Sequence, residues 1–368
     1  MLSRRSFLAL SGVALSAPTW ATLTQQEAGN KLFASAYSLN KEEHLFGIFN
    51  QEGDILWSTP LLARAHAPVV HPSQSIVGIV ARRPGFFMDF FDVSTHQRII
   101  RIEPKADHHF YGHALFSQDG KHLITQENHY PSGQGKIFIR HWASGEVVQS
   151  YNSNGIGPHE SVLLSDDILV IANGGLKTHP DEDRTILNLD TMQPNVTYLS
   201  LKDGRVLNQA NSTEDLHQLS IRHLDVNQHG TVALGFQYQG DIRDQVPLVA
   251  ISNINKPELD YLPIPEEVRI RFKQYCGSVC FDRSGEILAV STPRGGLVAY
   301  WHVDSKTFLG VENCRDVCGL VATDRSHEFV LTSGIGALLK SNPVQNTNKV
   351  FKNHSNIHWD NHLRQINA

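Results

Sequence analysis

From Thr22 onward, short runs of β-branched and aromatic residues alternate with Gly, Pro, Asp and Asn, and helical spacing of apolar positions is almost absent. That pattern predicts an all-β fold. The clearest recurring unit is an apolar strand, a tight turn and a second apolar strand. Three copies stand out: 112–120 leading into 122–125, 222–230 into 231–234, and 277–285 into 286–290. In each, a turn glycine lies seven residues after His113, His223 or Ser278. Glycine suits such a hairpin because it accepts positive φ at no steric cost. Weaker copies at 65–70, 158–164 and 318–323 put His66, His159 and Gly319 in the same register.

The positions 66, 113, 159, 223, 278 and 319 are spaced by 47, 46, 64, 55 and 41 residues, the period of four-stranded propeller blades. Only three strands, near 32–37, 44–49 and 55–59, precede the first of them, and one unpartnered strand, 357–363, ends the chain. Pairing that last strand with the first three completes a seventh blade and removes an open sheet edge. The expectation is a single seven-bladed β-propeller over residues 22–368, although a miscounted weak copy would make it six or eight. The long intervals 177–213 and 241–271 read as insertions or surface loops.

Composition agrees with a compact fold: 40% of residues are hydrophobic and 19% charged. The formal charge of −5 disfavours nucleic acid and anionic membrane as partners. Residues 1–21 have a charged start, a short apolar middle and a small-residue end, which is the pattern of a cleaved export signal. Arg4 and Arg5, between Ser3 and Phe7-Leu8, resemble the twin-arginine signal that carries folded cargo to the periplasm. An apolar run of about ten residues is too short to span a bilayer, so no stable membrane insertion is expected.

Histidine is over-represented, 20 of 368 residues. Aligning the seven inner strands puts His66, His113, His159, His223, Ser278, Gly319 and His362 at one position, five of the seven histidine. The innermost strand of each blade faces the channel with alternate residues, so a shared register brings these side chains to a similar depth. Imidazole is the commonest metal ligand and suits zinc, copper, iron and nickel. His66, His113, His159, His223 and His362 are therefore candidate ligands of a transition metal, with iron or copper favoured and zinc also compatible. Glu160, Asp360 and Asn361 are candidate supporting groups, and His179 and Arg294 could join from loops, Arg294 towards an anion. The bland reading is a wet, hydrogen-bonded channel lining. His108-His109 and His354/His358 read as solvated surface. Phosphate-binding, dinucleotide and nucleophile-elbow motifs are absent from the sequence.

Cys276, Cys280, Cys314 and Cys318 are an even number in an oxidising compartment, so disulfides are expected, with three pairings open. Two sulfurs four residues apart on one strand would be about 13 Å apart, too far to bridge. Bonds would therefore run between the two clusters and join neighbouring blades. A four-thiolate zinc site normally wants two intervening residues rather than three.

Taken together, Ser3-Arg4-Arg5-Ser6-Phe7-Leu8, Tyr111-Gly112-His113-Ala114, Gly155-Ile156-Gly157-Pro158-His159-Glu160, Ala172-Asn173-Gly174-Gly175, Thr178-His179-Pro180-Asp181, Ser220-Ile221-Arg222-His223-Leu224 and Trp359-Asp360-Asn361-His362 resemble the proteobacterial domain-of-unknown-function family fifteen-thirteen. The resemblance implies a twin-arginine-exported periplasmic propeller associated with iron-uptake clusters, whose partners would be periplasmic iron-uptake or redox proteins. It supplies no mechanism. The functional expectation is a periplasmic propeller that binds iron or copper in metal uptake or handling through a His-lined channel. Two alternatives stand beside it: a metal-dependent oxidoreductase or lyase-like enzyme, and an interaction scaffold with structural histidines.

Overall fold

A computed structural model describes residues 31–182 and 185–366. The expected export signal lies outside the described residues. Seven four-stranded antiparallel sheets form a seven-bladed β-propeller. In blade one, the C-terminal strand His358–Ile366 is innermost and pairs with Leu32–Ser38, which continues to His44–Asn50 and Ile55–Pro60. Leu32 faces Ile366 and Tyr37 faces Trp359 across this join, so the two ends of the described chain close one sheet. Blades two to seven follow in chain order, with innermost strands Ala65–Val70, His108–Phe116, Pro158–Ser165, Leu219–Val226, Ser278–Phe281 and Val317–Ala322. Each innermost strand packs against those of both neighbouring blades, and blade seven returns to blade one.

The hairpins form where the glycine register places them. Gly120, Gly230 and Gly285 all have φ near +70° to +77°, and each donates its backbone N–H to the carbonyl three residues back. A side chain in that backbone conformation would be strained. Apolar side chains from facing sheets fill the space between blades, for example Phe46, Trp57 and Phe91 between blades one and two. Burying each such side chain stabilises by roughly 1.5–3 kcal/mol.

Three readings are corrected. The intervals 177–213 and 241–271 are not simply loops: they contain the two outer strands of blades four and five, Asn195–Ser200 and Val206–Asn211, then Val249–Ser252 and Asp260–Tyr261. Short 3-10 turns and the helix Glu266–Arg271 supply the added length. The cysteines form no disulfide; all four are buried free thiols. Cys276 donates to the Leu248 carbonyl, Cys280 to that of Phe281 and Cys318 to the Asn361 side chain. Each behaves as a small apolar side chain with a satisfied S–H rather than as half of a bridge. His109 is not solvated surface but 1% exposed.

Candidate metal centre

A regular strand would send neighbouring residues to opposite faces. Here, in six of the seven innermost strands, the ladder to the second strand is interrupted at or beside the anchor position; Ser278–Phe281 is the regular one. Such bulges leave residues outside the ladder and re-aim their side chains. They let Glu160 face the same space as His159, and Arg222 the same space as His223.

The structure brings His66, His113, His159, His223 and His362 together at the axis, all at most 8% exposed. They come from five consecutive blades, with Ser278 and Gly319 at the equivalent positions of blades six and seven. Adjacent ring centroids are 4.5–5.1 Å apart along the sequence His362, His66, His113, His159 and His223, and His362 and His223 are 4.9 Å apart. Two triplets have ligating atoms within 4.8 Å of one another: His66, His113 and His362, and His113, His159 and His223. Either group could hold a metal ion, and His113 belongs to both.

Glu160 sets the tautomers on one side. Its carboxylate lies 3.2 Å from His113 Nδ1 and 3.1 Å from His223 Nδ1. A carboxylate only accepts, so both Nδ1 atoms carry the proton, and in the neutral ring Nε2 is the atom that presents the lone pair. His113 Nε2 is buried without a hydrogen-bond partner. Burial alone would raise the Glu160 pKa, yet the charge on His113 and the hydrogen bonds from His113 and His223 hold it well below the usual carboxylate range. Arg364 Nη2, 3.5 Å away, adds a positive neighbour.

Ser278 sets another ring. Its hydroxyl donates to the Asn361 carbonyl at 3.0 Å and therefore accepts from His362 Nδ1, also at 3.0 Å. His362 Nε2 is left with a lone pair, only 3.2 Å from His66 Nε2. A proton on His66 Nε2 or a cation shared by the two rings relieves that contact. Two imidazole nitrogens on one ion, each about 2.0–2.1 Å from it, lie about 3–3.4 Å apart.

Burial, followed by the charges of neighbouring imidazoles, depresses the pKa of His66 and His362 well below the ordinary value. His159 is lowered by burial and then by Arg222 and its neighbouring rings. Burial also lowers His223, with Glu160 opposing it. Lowered pKa values favour neutral imidazole, the form that ligates, at His66, His159, His223 and His362.

The other expected residues take varied places. Asp360 is buried, paired with Arg64, and 4.0 Å from His66 Nδ1. Asn361 lines the cluster and accepts from the Cys318 thiol. His179 stays outside: it packs on Tyr130 and accepts from the Asp181 backbone N–H. Arg294 is exposed and lies 4.2 Å above the Tyr275 ring. Sequence reasoning missed Arg82, Arg83, Tyr111, Arg222, Gln237 and Tyr275, which surround one end of the cluster. Tyr111 and Arg222 stand in the recurring inner-strand segments, but strict alternation hides residues that a bulge turns inward.

Among solved structures the fold is similar to Kuenenia stuttgartiensis hydrazine synthase, with TM-score 0.60 and 13% identity over 86% of this chain and 94% of that chain. At that identity the likeness concerns the fold alone. No curated protein sequence matches the chain. A family model described as a protein of unknown function (DUF1513) matches residues 59–366.

Proposed function

The chain belongs to that family, and for it we propose a transition-metal-binding propeller of the periplasm that takes part in metal uptake or handling. The observation that carries this reading is the convergence of buried imidazoles from five blades, with ligating atoms within 4.8 Å in two groups that share His113. Glu160 and Ser278 orient three of the five rings by hydrogen bonds to Nδ1, the outer-partner arrangement common to metal-bound histidine. An all-imidazole donor set suits copper, iron, zinc or nickel rather than hard cations; within that set we propose copper or iron. The reading places the protein outside the cytoplasm through the Arg4-Arg5 signal, with uptake or redox proteins as partners.

The test is metal analysis of protein isolated with its own export signal, followed by titration of the stripped protein with Cu(II), Fe(II) and Zn(II). About one equivalent bound by the wild type and lost in His113→Ala is expected. Equal sub-stoichiometric binding by both proteins would leave the histidines as a structural lining.

A further inference from the structure

The histidine layer separates two unlike ends of the channel. Residues that follow the histidines along their strands, such as Ala114–Gln118 and Glu160–Leu163, line a cavity of about 380 Å³ on one side. Residues that precede them, including Tyr111, Arg222 and Asn361, line a much smaller cavity of about 60 Å³ on the other. Arg82 and Arg83 enter this small cavity, and no Asp or Glu is among the residues that line it. Arg222 is 7% exposed. The space is well above the minimum of about 10–15 Å³ that a single water needs, yet about six times smaller than the cavity on the other side, which suits a small ion. Three guanidiniums around so small a space match an oxyanion in charge and in donor geometry.

A second observation comes from the rings. A metal-bound histidine normally gives its other N–H to an acceptor. His113 and His223 have Glu160, and His362 has Ser278. The two remaining rings, His66 and His159, leave Nδ1 buried without a hydrogen-bond partner, and both line the arginine cavity. The end that concentrates positive charge is thus also the end where two ring Nδ1 atoms make no hydrogen bond, the Asp360 carboxylate standing 4.0 Å from that of His66.

We propose that this cavity binds a small free oxyanion of the carbonate or phosphate class beside the metal, held by Arg82, Arg83 and Arg222 and accepting from the rings of His66 and His159. The proposal deepens the metal reading and rests on it. The anion offsets the charge of a cation held by imidazole ligands, so the two bind cooperatively. Arg294, stacked on Tyr275 at the mouth, adds positive potential without entering.

The experiment loads the full chain with Cu(II) in a chloride buffer free of oxyanions, then titrates bicarbonate, phosphate and citrate while the copper visible and EPR spectra are recorded. Bicarbonate or phosphate should shift the spectra saturably. Citrate is too large for the cavity and should not. Arg222→Gln should weaken the anion at least tenfold with copper stoichiometry unchanged, as loss of one charge-assisted contact implies. Arg82→Gln, on a half-buried side chain, provides a second variant, and circular dichroism verifies that each is folded. Equimolar copper with spectra indifferent to both anions, or equal anion affinity in wild type and both variants, would overturn the proposal and leave the metal reading standing. If copper does not bind, the anions are titrated on the metal-free protein by thermal shift. Arginine-dependent stabilisation there would retain the oxyanion pocket and sink only the metal reading, whereas no stabilisation would sink both.

Discussion

Replacing Glu160 by Gln is the most informative perturbation of the metal centre, because one carboxylate orients two candidate ligands at 3.1 and 3.2 Å. Gln is nearly isosteric and keeps one acceptor oxygen. Its NH2 group, however, must face one of the two Nδ1–H donors. At least one ring then loses its partner and either turns or changes tautomer, which moves its lone pair away from the ion. Loss of such an outer partner typically costs ten- to a hundredfold in metal affinity, or about 1.4–2.7 kcal/mol.

The effect should fall on metal binding more than on folding, since the variant also removes a charge from a buried site. Arg364→Gln serves as the control: its side chain is 42% exposed and its contact to Glu160 is 3.5 Å, so it should change affinity by less than about fivefold. The assay is competition of the folded proteins against a chelator of known affinity. A Glu160→Gln protein that binds metal within twofold of wild type would refute the argument that this carboxylate fixes the ligating tautomers.

Gly112 has φ +106° and its place for a Cβ lies 2.6 Å from His66 Cδ2, so Gly112→Ala should lower stability by about 1–3 kcal/mol and displace His66, read as a lower melting temperature and weaker metal binding. Burial pushes the Cys276 and Cys314 thiols up to about 12, so a disulfide-exchange reagent at pH 7.5 should titrate none of the four cysteines in folded protein and all four after denaturation. His109 donates from Nδ1 to the Phe110 carbonyl and accepts from Asn128 at Nε2; burial lowers its pKa to about 4. The unfolded ring gains its proton near pH 6.5 and the folded one does not until about 4, so His109 contributes a stability loss of about 3 kcal/mol as pH falls through that window; His109→Gln should make the melting temperature less sensitive to pH there.

The regularities of the fold were legible wherever local chemistry repeats. The turn glycines after His113, His223 and Ser278 mark their hairpins, and the strands expected at 32–37, 44–49 and 55–59 lie within the observed 32–38, 44–50 and 55–60. Closure by the last strand followed from counting strands and from the cost of an open edge. The bulges were not legible, because interruption of a ladder depends on both strands and leaves no fixed signature in either. Glu160 was expected to support the site because it follows His159, although strict alternation would turn it to the opposite face; the bulge is what brings it to His113 and His223. Arg82 and Arg83 lie just beyond the second strand of their blade, Ile76–Ala81, in a segment that reads like any polar turn. Four thiols in an expected oxidising compartment suggested bridges, but all four are buried free thiols: Cys276, Cys280 and Cys314 pack in apolar clusters and Cys318 bonds the Asn361 side chain.

Why two blades lack histidine follows from the same geometry. Gly319 has no room for a side chain: a Cβ there would meet Thr332 Oγ1 at 2.3 Å and Leu363 Cβ at 3.1 Å. Ser278 is short enough to stand behind His362 and hold its Nδ1, where an imidazole would compete for the space His362 fills. Seven equal rings would hold one another apart around the axis. Five rings with two small neighbours can lean together, so that His362 reaches both His66 and His223. Departure from sevenfold symmetry is thus what turns a lining of histidines into a site of ligand size. Enlarging the gap-forming position, as in Ser278→His, should therefore weaken metal binding even though it adds a sixth imidazole.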